Sequence, residues 1–479
     1  MEGEVSIGVC EKSIRTDKMK THIRYVAIFF WLIFWLSPAV HARDLAFDEA
    51  LSVLRSSNEA IMASQMEIRE RDHELLAAKG LNYPRIDAGG RYTVLNDPIM
   101  IDLNDIRTVM LSLHPNVPSQ KIPSFELGVQ EQQYWKANIS LTWPIYAGGR
   151  ITAAKRAAEA RQDEAHEKLR STEYNLTSEL TRRYFGLRLT EKVAAIRKQV
   201  LDSMYRHLQE AVTLENTGVI ARSERLHAEV SVAETARLHM RAVRDVSLAR
   251  TALENILSSQ EPVVPTTPLF IFRALEPLSF FSEKAVSNNP ILGQISAQRR
   301  QAHAGAQKEA GTFLPEIYLF GMRELYTPDL TVLDPEWAVG VGVNWTLFEG
   351  FSGSNRLKAA RFVEKKVQFL EQKARRDIAT LVEKRYQELM KALEQFDATA
   401  VSRNLAEEYV RVRQRAFEEG LATSLDVVDA QLSLSRVHVE RLNAAFEFDV
   451  SLSELLEVCG MSDAITAYSA DRSLSVEGL

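Results

Sequence analysis

Two carboxylates set three residues apart carry the clearest chemistry in this chain. Asp426 and Asp429, in Leu425-Asp426-Val427-Val428-Asp429-Ala430, share one face if the segment is helical. Repeated about a symmetry axis, such side chains form rings that bind and select cations at a constriction. Asp426 has a second use open to it. A helix begun near Thr423 or Ser424 gains from an acidic residue in its first turn, where unpaired N–H groups and the positive end of the helix dipole lie.

Other chemistry is hard to assemble. The ten His residues are scattered, and His227 and His239 lie in helical pattern without Cys or paired carboxylates at ligand spacing. Neither a metal nor a cofactor is expected. No G-x-x-x-x-G-K-[ST], G-x-S-x-G or H-E-x-x-H occurs, so the chain reads as no enzyme. Gly89-Gly90 and Gly148-Gly149 read as small positions or strand ends rather than phosphate cradles. With 64 acidic against 58 basic residues the net charge is −6, which argues against a broad nucleic-acid-binding surface. Lys365-Lys366 and the run from Lys373 to Arg376 suit a solvated helix face.

The elements that must position these residues come from a duplication. Thr142 to Gly149 (TWPIYAGG) has a counterpart in Asn344 to Phe351 (NWTLFEGF), 202 residues on. The same offset aligns Arg183-Tyr184 with Arg385-Tyr386, Gly218 with Gly420, and Leu253 with Leu455. Upstream the offset is 231, pairing Asn58 with Asn289, Gly80 with Gly311, and Pro84 with Pro315. The difference, 231 − 202 = 29 residues, is an insertion in the first copy around Asn96 to Gln133. It lengthens a first outward loop and suits a plug, a receptor surface or a lid. The expected division is a leader over 1–42, a first repeat over 45–257, a linker over 258–277, a second repeat over 278–458 and a tail over 459–479.

Each repeat reads as helix, strand, loop, strand, very long helix, turn, helix. Arg150 to Leu214 contains no Pro and one Gly, and a helix of that length reaches roughly 100 Å. Leu176, Leu180, Tyr184 and Leu187 recur at three-and-four spacing, as on a coiled-coil-like packed face. Arg356 to Phe417 repeats the pattern.

The strand before each long helix alternates strictly. Trp135, Ala137, Ile139, Leu141, Trp143 and Ile145 alternate with Lys136, Asn138, Ser140 and Thr142. Trp337, Val339, Val341, Val343, Trp345 and Leu347 repeat the apolar set. Alternation bounded by Trp is the pattern of a transmembrane β-strand, with an aromatic girdle of Trp135, Trp143, Trp337 and Trp345 at the lipid interfaces. Ile86, Ala88, Tyr92 and Val94 fit the same scheme, whereas the faces of Ile317 to Leu325 are not assigned by pattern. A soluble sandwich edge with one buried face is the competing reading. Single-chain barrels begin at about eight strands, so four strands in lipid demand completion by other copies of the chain. The fold class is therefore mainly α with a membrane β-barrel.

Lys18, Lys20 and Arg24 precede the apolar run Tyr25 to Leu36, and Val40-His41-Ala42 offers a cleavage site, so residues 1–42 read as a secretory signal peptide, with Met19 a possible true start. The run falls short of the about 20 residues a spanning helix needs. Beyond Ala42 the chain holds one cysteine, Cys459, and no internal disulfide is expected.

These features resemble the TolC family of outer-membrane efflux proteins over about residues 45–458. The residues that carry the resemblance are the duplication, the Tyr83-Pro84 and Leu314-Pro315 strand starts, the Trp143-Pro144-Ile145-Tyr146-Ala147-Gly148-Gly149 turn, and Gly420 to Leu434 (GLATSLDVVDAQLSL). The resemblance implies a homotrimer whose twelve strands close one barrel in outer-membrane lipid, with helices forming a tube across the periplasm. It implies an exit duct for an efflux or type I secretion system, docked to a periplasmic adaptor (membrane fusion) protein and an inner-membrane transporter. It places a periplasmic constriction at Asp426 and Asp429. The docking tips would be the turns at Gly218-Val219 and Gly420-Leu421. Many relatives carry an Arg soon after the second of these glycines, and this chain has none. The rival reading is a periplasmic helical adaptor or scaffold without a pore; a large diffusion porin fails on strand count. The cargo is not readable from the sequence.

Overall fold

The computed structural model describes residues 43–331, 333–470 and 474–476; the signal-peptide reading of residues 1–42 lies outside the described residues. In chain order the first repeat runs β1 (Arg43–Leu45), α1 (Phe47–Ser57), α2 (Glu59–Gly80), β2 (Arg85–Val94), β3 (Ile99–Asp102), α3 (Asn104–Leu113), β4 (Glu126–Gln130), β5 (Gln133–Ala147), α4 (Arg150–Asn216) and α5 (Arg222–Ile256). After β6 (Val263–Pro265) and β7 (Phe270–Ile271), the second repeat runs α6 (Leu278–Asn288), α7 (Pro290–Gly311), β8 (Glu316–Glu324), β9 (Trp337–Asn344), α8 (Ser352–Glu418) and α9 (Ser424–Val458), followed by α10 (Ile465–Ala470) and β10 (Leu474–Ser475).

The long helices of the two halves match in length. α4 and α8 are each 67 residues long, and α5 and α9 are each 35. The twin asparagines act alike. Asn58 caps α2 by accepting from the Ala60 amide, and its Nδ2 donates to the Ile256 carbonyl at the end of α5 (3.2 Å). Asn289 caps α7 through the Ile291 amide and donates to the Val458 carbonyl at the end of α9 (2.8 Å). A capping side chain normally serves one helix end; these two each serve one end of two helices.

The stretch read as a linker is built into the core. β6 pairs in parallel with β1, β7 pairs antiparallel with the tail strand β10, and Val263, Leu269, Phe270 and Ile271 are buried. They join Phe47, Leu180, Phe185, Phe281, Phe396 and Phe448 in one apolar cluster girdling the middle of the long helices.

Above the helices stands one antiparallel sheet in the order β2-β5-β8-β9. Register fixes its faces. Tyr92 opposes Trp135, Ala88 opposes Ile139, Trp143 opposes Leu319, and Leu319 opposes Val341. One face is thus apolar except for Arg323, which opposes Ile139 and Trp337, and Ile139, Trp143, Val339, Val341 and Val343 on it are exposed. The other face carries Asp87, Arg91, Asn138, Ser140 and Thr142 with Gly340 and Gly342. This register assigns β8, which pattern could not: Ile317 and Leu319 join the apolar face, and Tyr318 and Phe320 the other. The glycines of β9 follow from those rings. A Cβ on Gly342 would lie 2.4 Å from Tyr318 Cζ, and one on Gly340 2.7 Å from Phe320 Cζ.

Two expectations for the strands are corrected. The alternation put Ile145 with the apolar set, but a bulge there leaves it unpaired and sets Tyr146 opposite Ile317. The second Trp-bounded strand was expected to reach Leu347, yet β9 stops at Asn344, leaving Trp345 beyond the ladder. Its last partner is Glu316, and the residue before that is Pro315, which has no N–H to extend the pairing. The inserted loop is also more than a loop: β3 and β4 form an antiparallel ribbon around α3.

Candidate functional site

The site with the most specific chemistry is the end of the helical hairpins farthest from the sheet. Both turns there are Schellman-type stops. Gly218 and Gly420 adopt positive φ (76° and 72°), the region that favours glycine. The Val219 amide donates back to the Leu214 carbonyl (2.9 Å) and the Leu421 amide to that of Ala416 (2.7 Å). Val219 and Leu421 are both exposed, Leu421 at 78%. The two turns adjoin, since a Cβ on Gly420 would sit 3.2 Å from Val219 Cγ1. Beneath them Ala211, Ala228, Phe417 and Val427 form a separate buried cluster.

Asp426 and Asp429 both lie in the opening turns of α9, and the structure treats them differently. Asp426 completes a capping box. Its Oδ2 accepts from the Thr423 amide (2.9 Å) and hydroxyl (2.7 Å), while the Asp426 amide donates to Thr423 Oγ1 (3.2 Å). These bonds, led by the hydroxyl, hold its carboxyl below the usual carboxylate range, with Arg413 at 3.7 Å assisting. Asp429 sits on the exposed face beside Leu425.

Sequence reasoning missed two residues of this end. Glu224, the twin of Asp426, accepts the Ser424 amide at 2.7 Å, so an acid of the first repeat caps a helix of the second. His207 of α4, 2% exposed, shares a 2.7 Å hydrogen bond between Nε2 and the Ser424 hydroxyl, and its ring lies 4.6 Å from that of Phe417. The available signal for Glu224 was Ala221, the twin of Thr423. It offers no side-chain cap to α5 and so leaves Glu224 without the partner that Asp426 has.

At the opposite end, the four tryptophans bracket the sheet. Trp135 stacks at 4.9 Å on Tyr92, and Trp337 is exposed on the same rim. Trp143 and Trp345 lie where sheet meets helices. Their indole N–H groups donate to the Asn82 carbonyl (2.9 Å) and the Phe313 carbonyl (3.0 Å), another twin pair, while both side chains are exposed. A satisfied N–H with an open apolar ring is what a water–lipid boundary rewards. No described helix is long and apolar enough to cross a membrane. Among the described residues no group of three or more His, Cys, Asp or Glu is placed to hold a metal ion.

A four-stranded sheet with an exposed apolar face, set on paired 67-residue helices, defines an outer-membrane channel subunit with a helical tube. Residues 50–259 and 281–460 match the outer membrane efflux protein family, so the chain belongs to that family, one of channels and not of enzymes, and its tube lies in the periplasm. Solved structures share the fold. CusC aligns with a TM-score of 0.71 at 13% identity over 86% of this chain and 92% of its own. The CmeC outer membrane channel of Campylobacter jejuni aligns at 0.69 and 14%, over 90% of each chain. The open state of the MtrE channel of Neisseria gonorrhoeae aligns at 0.66 and 15%, over 87% and 89%. A comparison with curated protein sequences gives no match.

Proposed function

We propose that three copies of the chain close one twelve-stranded barrel and one helical tube, forming the exit duct of a tripartite efflux or type I secretion system. The observation that carries this is the sheet itself, whose outer strands β2 and β9 each leave one edge unpaired beside an apolar, exposed face. In lipid, each unpaired backbone group costs several kcal/mol, so the edges must meet other copies of the chain. The helices agree: α8 exposes Phe362, Phe369, Val401, Leu405 and Val412, while α2 exposes Met62 and Met66 and α5 exposes Leu226 and Val230. Such stripes at the two margins of the subunit suit burial against the next copy.

In this reading Trp135, Trp143, Trp337 and Trp345 mark the lipid boundaries. The tips at Gly218-Val219 and Gly420-Leu421 meet a periplasmic adaptor that links the duct to an inner-membrane transporter. Asp429 faces the constriction as one cation-selecting ring, and Asp426, while also serving as a cap, forms the second.

Single-channel conductance in planar bilayers tests the assignment. Wild type is expected to show a small, cation-selective conductance. Asp429→Ala should lose most of the selectivity. Asp426→Ala should in addition raise the conductance severalfold, because it removes bulk and charge from the constriction itself. Selectivity unchanged in the double substitution Asp426→Ala/Asp429→Ala would discard the rings while keeping the duct; folded protein that never conducts would support a scaffold instead.

A further inference from the structure

We infer that Glu224 and His207, both from the first repeat, tie down the first turn of α9 and release it on acidification. They would thereby position the Asp426–Asp429 face. The inference rests on the duct reading above.

The tie follows from helix-end chemistry. The first four amides of α9 have no partners inside the helix. Thr423 satisfies one of them within its own hairpin by bonding the Asp426 amide. The Ser424 amide is met instead by Glu224 across the gap between hairpins, where a carboxylate also suits the positive end of the α9 dipole. Two differences between the repeats make this possible. Ala221 in place of a hydroxyl cap leaves the acid of α5 unengaged, and glutamate has one methylene more reach than its aspartate twin. Ser424 itself is fully buried, and its hydroxyl is held by His207. Sliding the α8–α9 hairpin past α4–α5 must therefore break two bonds that converge on one residue.

Acid enters through His207. The titratable groups facing it are His227 and Glu224 of α5; α8 presents the Phe417 ring and α9 the Ser424 hydroxyl. Burial, with His227 adding to it and Glu224 opposing, pushes the imidazole down to about 4 from its ordinary 6.5. The arrangement around Ser424, which we take as the closed tip, thus requires the neutral ring. In an opened tip His207 meets water and titrates near 6.5, so closure is fully supported above that pH and is progressively lost as pH falls from 6.5 toward 4.

The test compares full-length protein in planar bilayers at pH 7.5 and 5, with amide hydrogen exchange of residues 423–428 alongside. At pH 7.5 Glu224→Ala should raise open probability about tenfold, the change that loss of one charge-assisted bond supplies, and should speed exchange of the Ser424 amide. Glu224→Gln keeps an acceptor and should stay within about twofold of wild type by the same reasoning. Thr423→Ala breaks only the cap inside one hairpin and should leave open probability near wild type. Lowering the pH to 5 should open wild type, but not His207→Gln, which cannot become charged. The tie is overturned if Glu224→Ala conducts and exchanges like wild type. It is equally overturned if Thr423→Ala opens the channel as far, which would mean that fraying of α9 suffices. An acid response undiminished in His207→Gln would overturn the proton-sensing part. Wild type that forms no pore at all overturns the duct reading itself, and the gating role with it.

Discussion

Replacing Tyr184 with phenylalanine is expected to cost about 1–3 kcal/mol of stability, although it removes a single oxygen atom. The Tyr184 side chain has no exposed surface, and its hydroxyl serves three backbone groups. It donates to the Leu45 carbonyl (2.7 Å) and accepts from the amides of Thr266 (3.0 Å) and Thr267 (2.9 Å). Those groups belong to the paired segments around β1 and β6, so one hydroxyl fastens the junction between repeats to the middle of α4. The ring would stay in place against Phe47 and Phe185, at 5.3 and 5.2 Å. The loss is therefore polar: the Thr267 amide is left without its partner, while the Thr266 amide and the Leu45 carbonyl keep only their 3.1 Å bond to each other. The twin residue gives the control. Tyr386 is half-buried, and its hydroxyl has no hydrogen bond among the described residues, so Tyr386→Phe should change stability by less than about 0.5 kcal/mol. Urea unfolding of both variants measures the difference; equal losses would mean that ring packing, not the hydroxyl, is what matters.

Asp449 should show the opposite sign. Its side chain is fully buried in α9 among Phe448, Phe270 and Leu452, and no ion pair reaches it among the described residues. Burial pushes its carboxyl well above the usual 3.8, against a smaller opposing pull from the Phe270 backbone. A raised carboxyl pKa favours the fold while the group is neutral. That contribution is complete below the unfolded value of 3.8 and is lost as pH rises through the folded one. Asp449→Leu is therefore expected to stabilise the protein by about 1–3 kcal/mol, with the larger gain at pH 8 and the smaller at pH 5. Unfolding midpoints at the two pH values check this. A variant less stable than wild type at both would show that the acid has a partner worth keeping.

The sequence made the large features readable for definite reasons. Long stretches rich in Ala, Glu, Lys and Leu and free of proline read as long helices, and the repeat offset locates the main helices and sheet strands twice. Tryptophan at both ends of an alternating run marks a strand with one apolar face. What escaped was local and depended on a neighbour. Ile145 alternates well in isolation, and only pairing with β8 reveals the bulge. β9 ends at Asn344 because of Pro315, which belongs to a different strand start. β6 and β7 span three and two residues, too few for any periodicity to register, so their segment read as a linker. At the periplasmic end the acidic motif was readable, as was the Thr423 cap that engages one of its members. The reach of Glu224 into the other repeat was not, since nothing along the chain places α5 beside the start of α9.

The joint between sheet and helices has a mechanical meaning. Gly148 and Gly311 pack so closely that a Cβ on Gly148 would lie 2.4 Å from the Gly311 carbonyl oxygen. Arg150 is paired with Glu316 at 2.7 Å, and two indoles are pinned to the ends of the preceding helices. This is a welded flange rather than a bearing. Torque applied far below cannot be relieved by turning the sheet on its posts, so the twist must be taken up along the helices themselves. The outer end then acts as a stator, and the useful compliance of the subunit is confined to the hairpin end farthest from the sheet.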